Sequence, residues 1–194
     1  KRDAKPCYYA YRLVMNGHAQ TGLVGAGSVA DYDAQRIRRH ELTRPDKEDD
    51  RVRQIEALNA QTGPVMVAYP PAPEVDAMLV DASSGAPEFD VTASSGVRHM
   101  LWLIREEDRI ARLTAAFHAM PALYIADGHH RTAAASRVAA SRRAATPKGS
   151  AEASYASFLC VAFPHHQLRI LPYNRLVRDL NGLDREEFLR RVAA

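Results

Sequence analysis

The sequence has no apolar run of the roughly 18–20 residues that a membrane-spanning helix needs, and it has no signal-peptide pattern. Its two cysteines, Cys7 and Cys160, lie far apart and lack metal-ligand spacing. Cys160 belongs to the apolar run SFLCVAF, which is typical of a buried, reduced thiol. We therefore expect a cytoplasmic protein that has no membrane partner and keeps both thiols reduced.

Dense runs of lysine and arginine are also missing, as are internal repeats and low-complexity segments. The formal net charge is only +3, which argues against nucleic acid as a partner. The glycine-rich stretch GLVGAGSV falls within a predicted hairpin strand and lacks the helix of a dinucleotide fingerprint. With 46% hydrophobic and 25% charged residues, the composition is that of a globular protein.

Hairpins mixed with helices predict an α+β fold, in which helices flank a mixed, largely antiparallel sheet. Alternating apolar residues on both sides of Asn16-Gly17 predict the first hairpin. We expect residues 1–194 to be a single α+β domain or a fragment of a longer chain, because the sequence opens without Met and stops inside a helical pattern. Residues 142–153, RRAATPKGSAEA, have the composition of a mobile surface loop.

Three local predictions concern the connections between elements. The segment DYDAQRIRRHELT, residues 31–43, is predicted as a helix that Asp31 or Asp33 caps, and Asp46 is predicted to cap the next helix. Near the C-terminus, SYASFLCVAF and QLRILPYNRLV are predicted to form an antiparallel pair around residues 164–166.

The segment YIADGHHRTAAA, residues 124–135, places polar residues where a strand runs into a helix. The first N–H groups of a helix have no intrahelical partner and attract anions, most often phosphate. Gly128 would allow close approach of a phosphate, His129 and His130 add donors, and Arg131 can bind two phosphate oxygens at once. Asp127 could hold Mg²⁺, which commonly binds one or two carboxylates together with substrate phosphates.

Two other interpretations of this junction stay open. In the simpler one, Asp127 is an N-cap, Gly128 is a turn residue, and the histidines are solvated groups of the first helical turn. In the other, Asp127, His129 and His130 bind a transition metal. Adjacent histidines on a helix point about 100° apart, and no HxxxH or HExxH spacing is present, so the metal site has the least support.

A second charged segment, RIRRHELTRPDKEDDRV, covers residues 36–52. Its charges are explained in part as a solvated surface with weak ion pairs. His40 and Glu41 are nevertheless adjacent, and a histidine beside an acid can be tuned for proton transfer. Thr43 and Arg44 precede Pro45 in an extended turn that offers donors to a substrate anion, and Arg175 in LPYNRLV offers another.

RHELTRPDKEDDR and YIADGHHR, followed by LPYNRLV, together resemble a bacterial family known only as the domain of unknown function number ten-fifteen. The resemblance covers roughly residues 8–190. Members of that family usually carry an upstream Pro-Pro-Tyr-Asp-Val-like motif, which this sequence lacks.

The DGHHR turn is also similar to the phosphate-binding turn of the ParB/sulfiredoxin superfamily, which includes free serine kinases. This similarity, over some ten residues, implies a fold that is ParB/sulfiredoxin-like in part and a turn that binds nucleotide phosphates. Sulfiredoxin needs a cysteine in this turn, where the present sequence has histidine, so its chemistry is not implied.

Two functions follow from these observations. The first is a phosphotransferase that acts on a small hydroxyl metabolite with ATP or ADP and Mg²⁺. In this function Glu41, with His40, is the base, Asp127 binds Mg²⁺ or orients His129, Arg131 neutralises the transferred charge, and Arg44 binds a substrate carboxylate or phosphate. The second is a non-catalytic, nucleotide-responsive binding module of the ParB type, in which RIRRHELTRPDK contacts a partner.

Overall fold

The fold is α+β in a computed structural model that describes residues 3–146, 153–172 and 174–193. Within these residues six α-helices accompany an eight-stranded mixed sheet, which confirms the predicted class. The strands are β1 (Tyr8–Met15), β2 (His18–Ser28), β3 (Ile37–Arg38), β4 (Val65–Tyr69), β5 (Phe89–Thr92), β6 (Arg98–Ile104), β7 (Leu123–Asp127) and β8 (Ser157–Pro164). The helices are α1 (Val29–Asp33), α2 (Pro45–Leu58), α3 (Pro73–Ala82), α4 (Glu107–Ala119), α5 (His129–Ala145) and α6 (Arg185–Val192).

The strand order is β3-β7-β4-β8-β2-β1-β6-β5. The pairs β3–β7 and β4–β8 are parallel, and the other five are antiparallel. Asn16 and Gly17 form the turn between β1 and β2 with φ angles of 50° and 74°, as their sequence predicts. Gly96, with φ 81°, lies between β5 and β6.

The core lies between the sheet and its helices, and in β4 and β6 the buried positions alternate as in half-buried strands. In β4 the side chains of Val65, Val67 and Tyr69 are buried, and the Tyr69 ring packs against Phe117 of α4 at a centroid distance of 5.3 Å. Helix α5 contacts α1 and α2, and α3 contacts α4. Within the described part of the chain, no helix is both long and apolar enough to cross a membrane.

The predicted helix over residues 31–43 is wrong in extent. Helix α1 ends at Asp33, its cap is the Ser28 hydroxyl instead of Asp31 or Asp33, and the chain then forms β3. Ile37 is buried there and pairs with Leu123 of β7. The charged periodicity of this segment imitates a helix, but pairing with a strand more than 80 residues away decides its conformation.

Two further local predictions differ from the structure. The N-cap of α2 is Arg44, because Pro45 occupies the first helical position, where its missing N–H costs nothing. Strand β8 pairs with β2 and β4, and in the described residues 168–172 and 174–177 the segment QLRILPYNRLV forms no strand and leaves Ile170 fully exposed. Helix α5 extends to Ala145, so the loop predicted over residues 142–153 begins later, and residues 147–152 of that prediction lie outside the described residues.

Candidate functional site

The turn between β7 and α5 is built around Gly128. This residue is the N-cap of α5 and has φ +100°, a conformation that residues with a Cβ atom rarely adopt. Its carbonyl accepts hydrogen bonds from the Thr132 backbone N–H at 2.9 Å and from the Thr132 hydroxyl at 3.0 Å. Gly128 and not Asp127 caps the helix, and among the described residues no side chain makes a capping hydrogen bond, so the first N–H groups of α5 have no side-chain cap.

The parallel pairing of β3 with β7 carries the second charged segment to the same turn. Ile37 pairs with Leu123 and Arg38 with Tyr124, so the chain after β3 runs alongside the end of β7. That chain reaches the start of α5 within a few residues, where it presents His40 and Glu41. The two sequence motifs therefore meet in one place.

Glu41 and His129 form the centre of the site. Glu41 Oε2 lies 3.2 Å from His129 Nδ1, and the ring of His40 meets the His129 ring edge-on at a centroid distance of 4.6 Å. The His129 side chain is 4% exposed, whereas that of Glu41 is 55% exposed. A solvent-accessible carboxylate is thus held by a buried imidazole, and His129 is not the solvated first-turn residue of the simpler interpretation.

The protonation state of His129 follows from its surroundings. Burial, followed by the neighbouring His40, lowers the pKa of His129 below its usual value, against the opposing effects of Glu41 and Asp127. The imidazole is therefore neutral at pH 7. Its single proton belongs on Nδ1, which faces the carboxylate, and Nε2 carries a lone pair. In the described residues Nε2 is buried and has no hydrogen-bond partner.

The loop from β3 to α2 is fixed to α5 by polar contacts. His130 Nε2 accepts a hydrogen bond from the backbone N–H of Arg44 at 3.2 Å. The Thr43 hydroxyl donates to Glu48, and Arg137 of α5 pairs with the same carboxylate at 3.2 Å. His130 is one of the predicted phosphate ligands, and its side chain therefore positions the loop from β3 to α2.

Arg131 lies between two glycines. Its Nη2 donates a hydrogen bond to Asp127. The side chain also passes close to both glycines: a Cβ atom at Gly63 would lie 3.2 Å from Cδ of Arg131, and a Cβ atom at Gly128 would lie 3.0 Å from its Nη2. Its Nε is buried without a hydrogen-bond partner in the described residues. Arg131 also lines a cavity of about 130 Å³ together with Arg51.

The remaining predicted site residues are placed as follows. Arg44 is paired with Asp46 at 2.8 Å and its side chain is 70% exposed. Arg175 lies in the exposed, irregular segment that precedes α6, on no element that forms the turn. In the described part of the chain, no group of three or more His, Cys, Asp and Glu residues is arranged to hold a metal ion. Asp127 as a ligand of Mg²⁺ remains a prediction.

Sequence reasoning missed Gly63 and Arg51 as neighbours of Arg131. Gly63 precedes Pro64, so it resembles an ordinary helix terminator, and Arg51 is one of many charges on α2. Arg51 lies in the second turn of α2, directly after Asp49 and Asp50, so nothing in the sequence distinguishes it from a solvated charge. The packing of α2 on α5 brings Arg51 to the site, and the connection from α2 to β4 brings Gly63 there.

Comparison with curated proteins and with solved structures found no match. The model of the family described as "Protein of unknown function (DUF1015)" matches residues 1–194. This is the family that the RHELTRPDKEDDR and YIADGHHR motifs resemble, and the match covers the elements that bring them together. The chain therefore belongs to the DUF1015 family.

Proposed function

We propose that the protein binds the phosphates of a nucleotide at the start of α5 and transfers a phosphoryl group to a small hydroxyl metabolite. One observation carries the proposal: Glu41, from the loop after β3, lies 3.2 Å from His129, the first residue of a 17-residue helix. An anion-attracting helix end and a carboxylate that can act as a base therefore occur in one site.

The start of α5 supplies what phosphoryl transfer mainly requires, which is positioning and neutralisation of charge. Open backbone N–H groups and the helix dipole attract phosphate oxygens. Arg131 adds a guanidinium whose Nη2 binds Asp127 and whose Nε is unpartnered in the described residues. A phosphate group that approaches Gly128 meets no side chain at that residue.

Glu41 is the general base of the proposed reaction, and His129 positions it. The neutral imidazole donates its Nδ1 proton toward Oε2 of Glu41, which leaves Oε1 to face the substrate hydroxyl. Glu41 takes the hydroxyl proton as the substrate oxygen forms its bond to phosphorus. The bond from phosphorus to the leaving phosphate of the nucleotide breaks, and that phosphate keeps the electron pair.

Magnesium fits this arrangement as an ion that the nucleotide brings with it. Asp127 is 70% exposed, and its Oδ2 binds Arg131, so Oδ1 is the atom that would contact the ion. One protein carboxylate together with substrate phosphates is a common environment for Mg²⁺. When bound, the ion would neutralise charge on the phosphates.

Arg44 and Thr43 are the proposed contacts for an acidic substrate group. The Arg44 guanidinium is bound on two nitrogens by Asp46, at 3.1 Å and 2.8 Å, in an exposed position. A substrate carboxylate could replace Asp46 at small cost, because exposed ion pairs are weak. An amino acid that carries a hydroxyl, such as serine, has both required groups, in keeping with the resemblance of the turn to that of free serine kinases.

The test has a binding step and a turnover step. Isothermal titration with ATP, ADP and CTP, with and without Mg²⁺, measures nucleotide binding, and phosphorus-31 NMR of nucleotide plus serine measures transfer. We expect wild-type protein to bind at least one nucleotide and to form a phosphomonoester. Replacing Glu41 by Gln should abolish transfer but preserve binding, whereas Glu56→Gln on the exposed surface of α2 should change neither.

Each result has a distinct meaning. Absence of binding to every nucleotide refutes the phosphate site. Binding without transfer to any hydroxyl substrate favours the second function, a nucleotide-responsive binding module. Transfer that proceeds at the wild-type rate in Glu41→Gln refutes the assignment of the base.

A further inference from the structure

A larger cavity of about 370 Å³ lies beside the proposed phosphate site, within the range of small-molecule pockets. It is enclosed by α5, by the end of α2 and by strands β1, β2 and β8. Its apolar walls include Val24, Ile55, Ala135, Val138 and Leu159.

Small side chains create the space for this cavity. Ala26 of β2 and Leu159 of β8 are cross-strand partners on its floor, and Ala26 is exposed. On the opposite side, Asn59 ends α2 in the left-handed conformation with φ 47°, and the chain continues through the exposed Ala60. Since neither alanine is buried, the space above them is open to a ligand.

The large cavity adjoins the small one that Arg131 lines. Ile55 and Gln61 belong to the walls of both. The Gln61 amide is fixed, because it donates to the Ser157 carbonyl and accepts from the Leu159 N–H, each at 3.0 Å. Gln61 is therefore held in place where the two cavities adjoin.

One face of α5 connects the phosphate site to the large cavity. Arg131 lines the small cavity, and Ala135, Val138 and Arg142 line the large one. Their spacing of four, three and four residues places all four side chains on a single stripe of the helix. At a rise of about 1.5 Å per residue, this stripe is about 16 Å long.

Buried polar atoms without hydrogen-bond partners occur in the described residues along the same part of the molecule. In the described residues, three buried side-chain nitrogen or oxygen atoms lack a hydrogen-bond partner: His129 Nε2, Arg131 Nε and the Tyr155 hydroxyl. His129 contacts Glu41, Arg131 lines the small cavity, and Tyr155 lines the large one. Buried polar groups without partners are rare in native proteins, and a missing ligand is one physical reason for them.

From these observations we infer that the large cavity binds the nucleoside part of the nucleotide whose phosphates lie at Arg131 and the start of α5. Apolar walls suit the faces of a base, and Arg142 offers a polar contact to its edge or to the ribose. The small cavity then holds the phosphate that joins the two parts, between Arg51 and Arg131. This inference rests on the proposed function and adds to it a pocket that selects the donor.

The experiment compares ADP with inorganic tripolyphosphate, which has phosphates but no nucleoside. We expect the wild-type protein to bind ADP at least about tenfold more tightly than tripolyphosphate, although tripolyphosphate carries one more phosphate, because only ADP fills the cavity. Ala26→Phe places a ring on the cavity floor without altering the buried core. It should lower ADP affinity about tenfold or more and leave tripolyphosphate affinity within about twofold.

Two further variants make the comparison specific. Ala19→Phe introduces the same ring at an exposed position of the same strand that does not line the cavity, and it should preserve ADP affinity. Ala60→Phe fills the cavity from the opposite wall, in an exposed loop, and should repeat the effect of Ala26→Phe even if the strand variant is unstable.

The outcomes separate this inference from the proposed function. Unchanged ADP affinity in both cavity variants overturns the inference, as does an equal loss of ADP and tripolyphosphate binding. Wild-type protein that binds tripolyphosphate as tightly as ADP also overturns it, while the phosphate site stands. Wild-type protein that binds neither probe overturns the proposed function and the inference together.

Discussion

Replacing Gly128 by Ala tests the turn on which the phosphate site depends. Gly128 has φ +100°, and an alanine in the left-handed region costs about 1–2 kcal/mol. The new Cβ would also lie 3.0 Å from Nη2 and 3.1 Å from Nε of Arg131, so the guanidinium has to move. We therefore expect the free energy of unfolding to fall by about 1–2 kcal/mol and nucleotide affinity to fall with it.

Variants of two other glycines separate the effect of backbone strain from the effect of moving Arg131. A Cβ at Gly63 would lie 3.2 Å from Cδ of Arg131, and this residue has no left-handed backbone, so Gly63→Ala shifts Arg131 without backbone strain. It should weaken nucleotide binding but leave stability nearly unchanged. Gly85→Ala meets nothing within 4 Å and should change neither property, or raise stability slightly.

Chemical denaturation gives the unfolding free energies, and isothermal titration gives the affinities. The reasoning fails if Gly128→Ala is as stable as Gly85→Ala, since the turn then does not need its left-handed conformation. It also fails if both Arg131-shifting variants bind nucleotide like the wild type. In that case Arg131 does not contact the phosphates.

Three further predictions concern other parts of the molecule. The pKa of His129 is lower in the folded state than its unfolded value of about 6.5, so its contribution to stability is present above that value and is lost as the pH falls below it. Between pH 7.5 and 5, His129→Asn should therefore lose less unfolding free energy than the wild type. Parallel curves of unfolding free energy against pH for the two proteins would contradict this. Tyr69→Phe removes a buried hydroxyl that donates to Asp76 at 2.8 Å and should cost about 1.5–3 kcal/mol in chemical denaturation, because the acceptor is charged. Tyr124→Phe, at an exposed ring, should cost less than about 0.5 kcal/mol, and equal losses would refute the comparison.

Much of the local structure follows from the sequence because it depends on neighbouring residues. Asn16-Gly17 supplies the positive φ angles of a hairpin, and Asp127-Gly128 ends a strand and opens a helix. Such signals need no knowledge of the rest of the chain. The strand, turn and helix of YIADGHHRTAAA are therefore predictable from twelve residues.

The parts that sequence reasoning misplaced depend on distant contacts. Residues 37–38 form a strand because Ile37 is buried against β7, although the charges around it have helical spacing. QLRILPYNRLV has the composition of a strand, yet β8 already has β2 and β4 as partners on its two sides. No local pattern reveals that both edges of a strand are occupied.

The candidate site shows the same division. Its residue types could be named from the motifs, because acids, histidines and arginine in one turn have few structural reasons to occur together. The contact between Glu41 and His129 could not be predicted from the motifs, because it depends on the parallel pairing of β3 with β7. The burial of His129 and the position of Arg131 between Gly63 and Gly128 are likewise tertiary features.

We propose one site at the start of α5, in which nucleotide phosphate binds beside the Glu41–His129 pair. The most direct test of this site is a titration of isotope-labelled protein with ADP, followed through the backbone amide resonances. We expect the largest and saturable shifts at His129, His130 and Arg131, with smaller shifts at Glu41. Saturable binding that shifts other resonances and leaves those of residues 128–131 unchanged would contradict it.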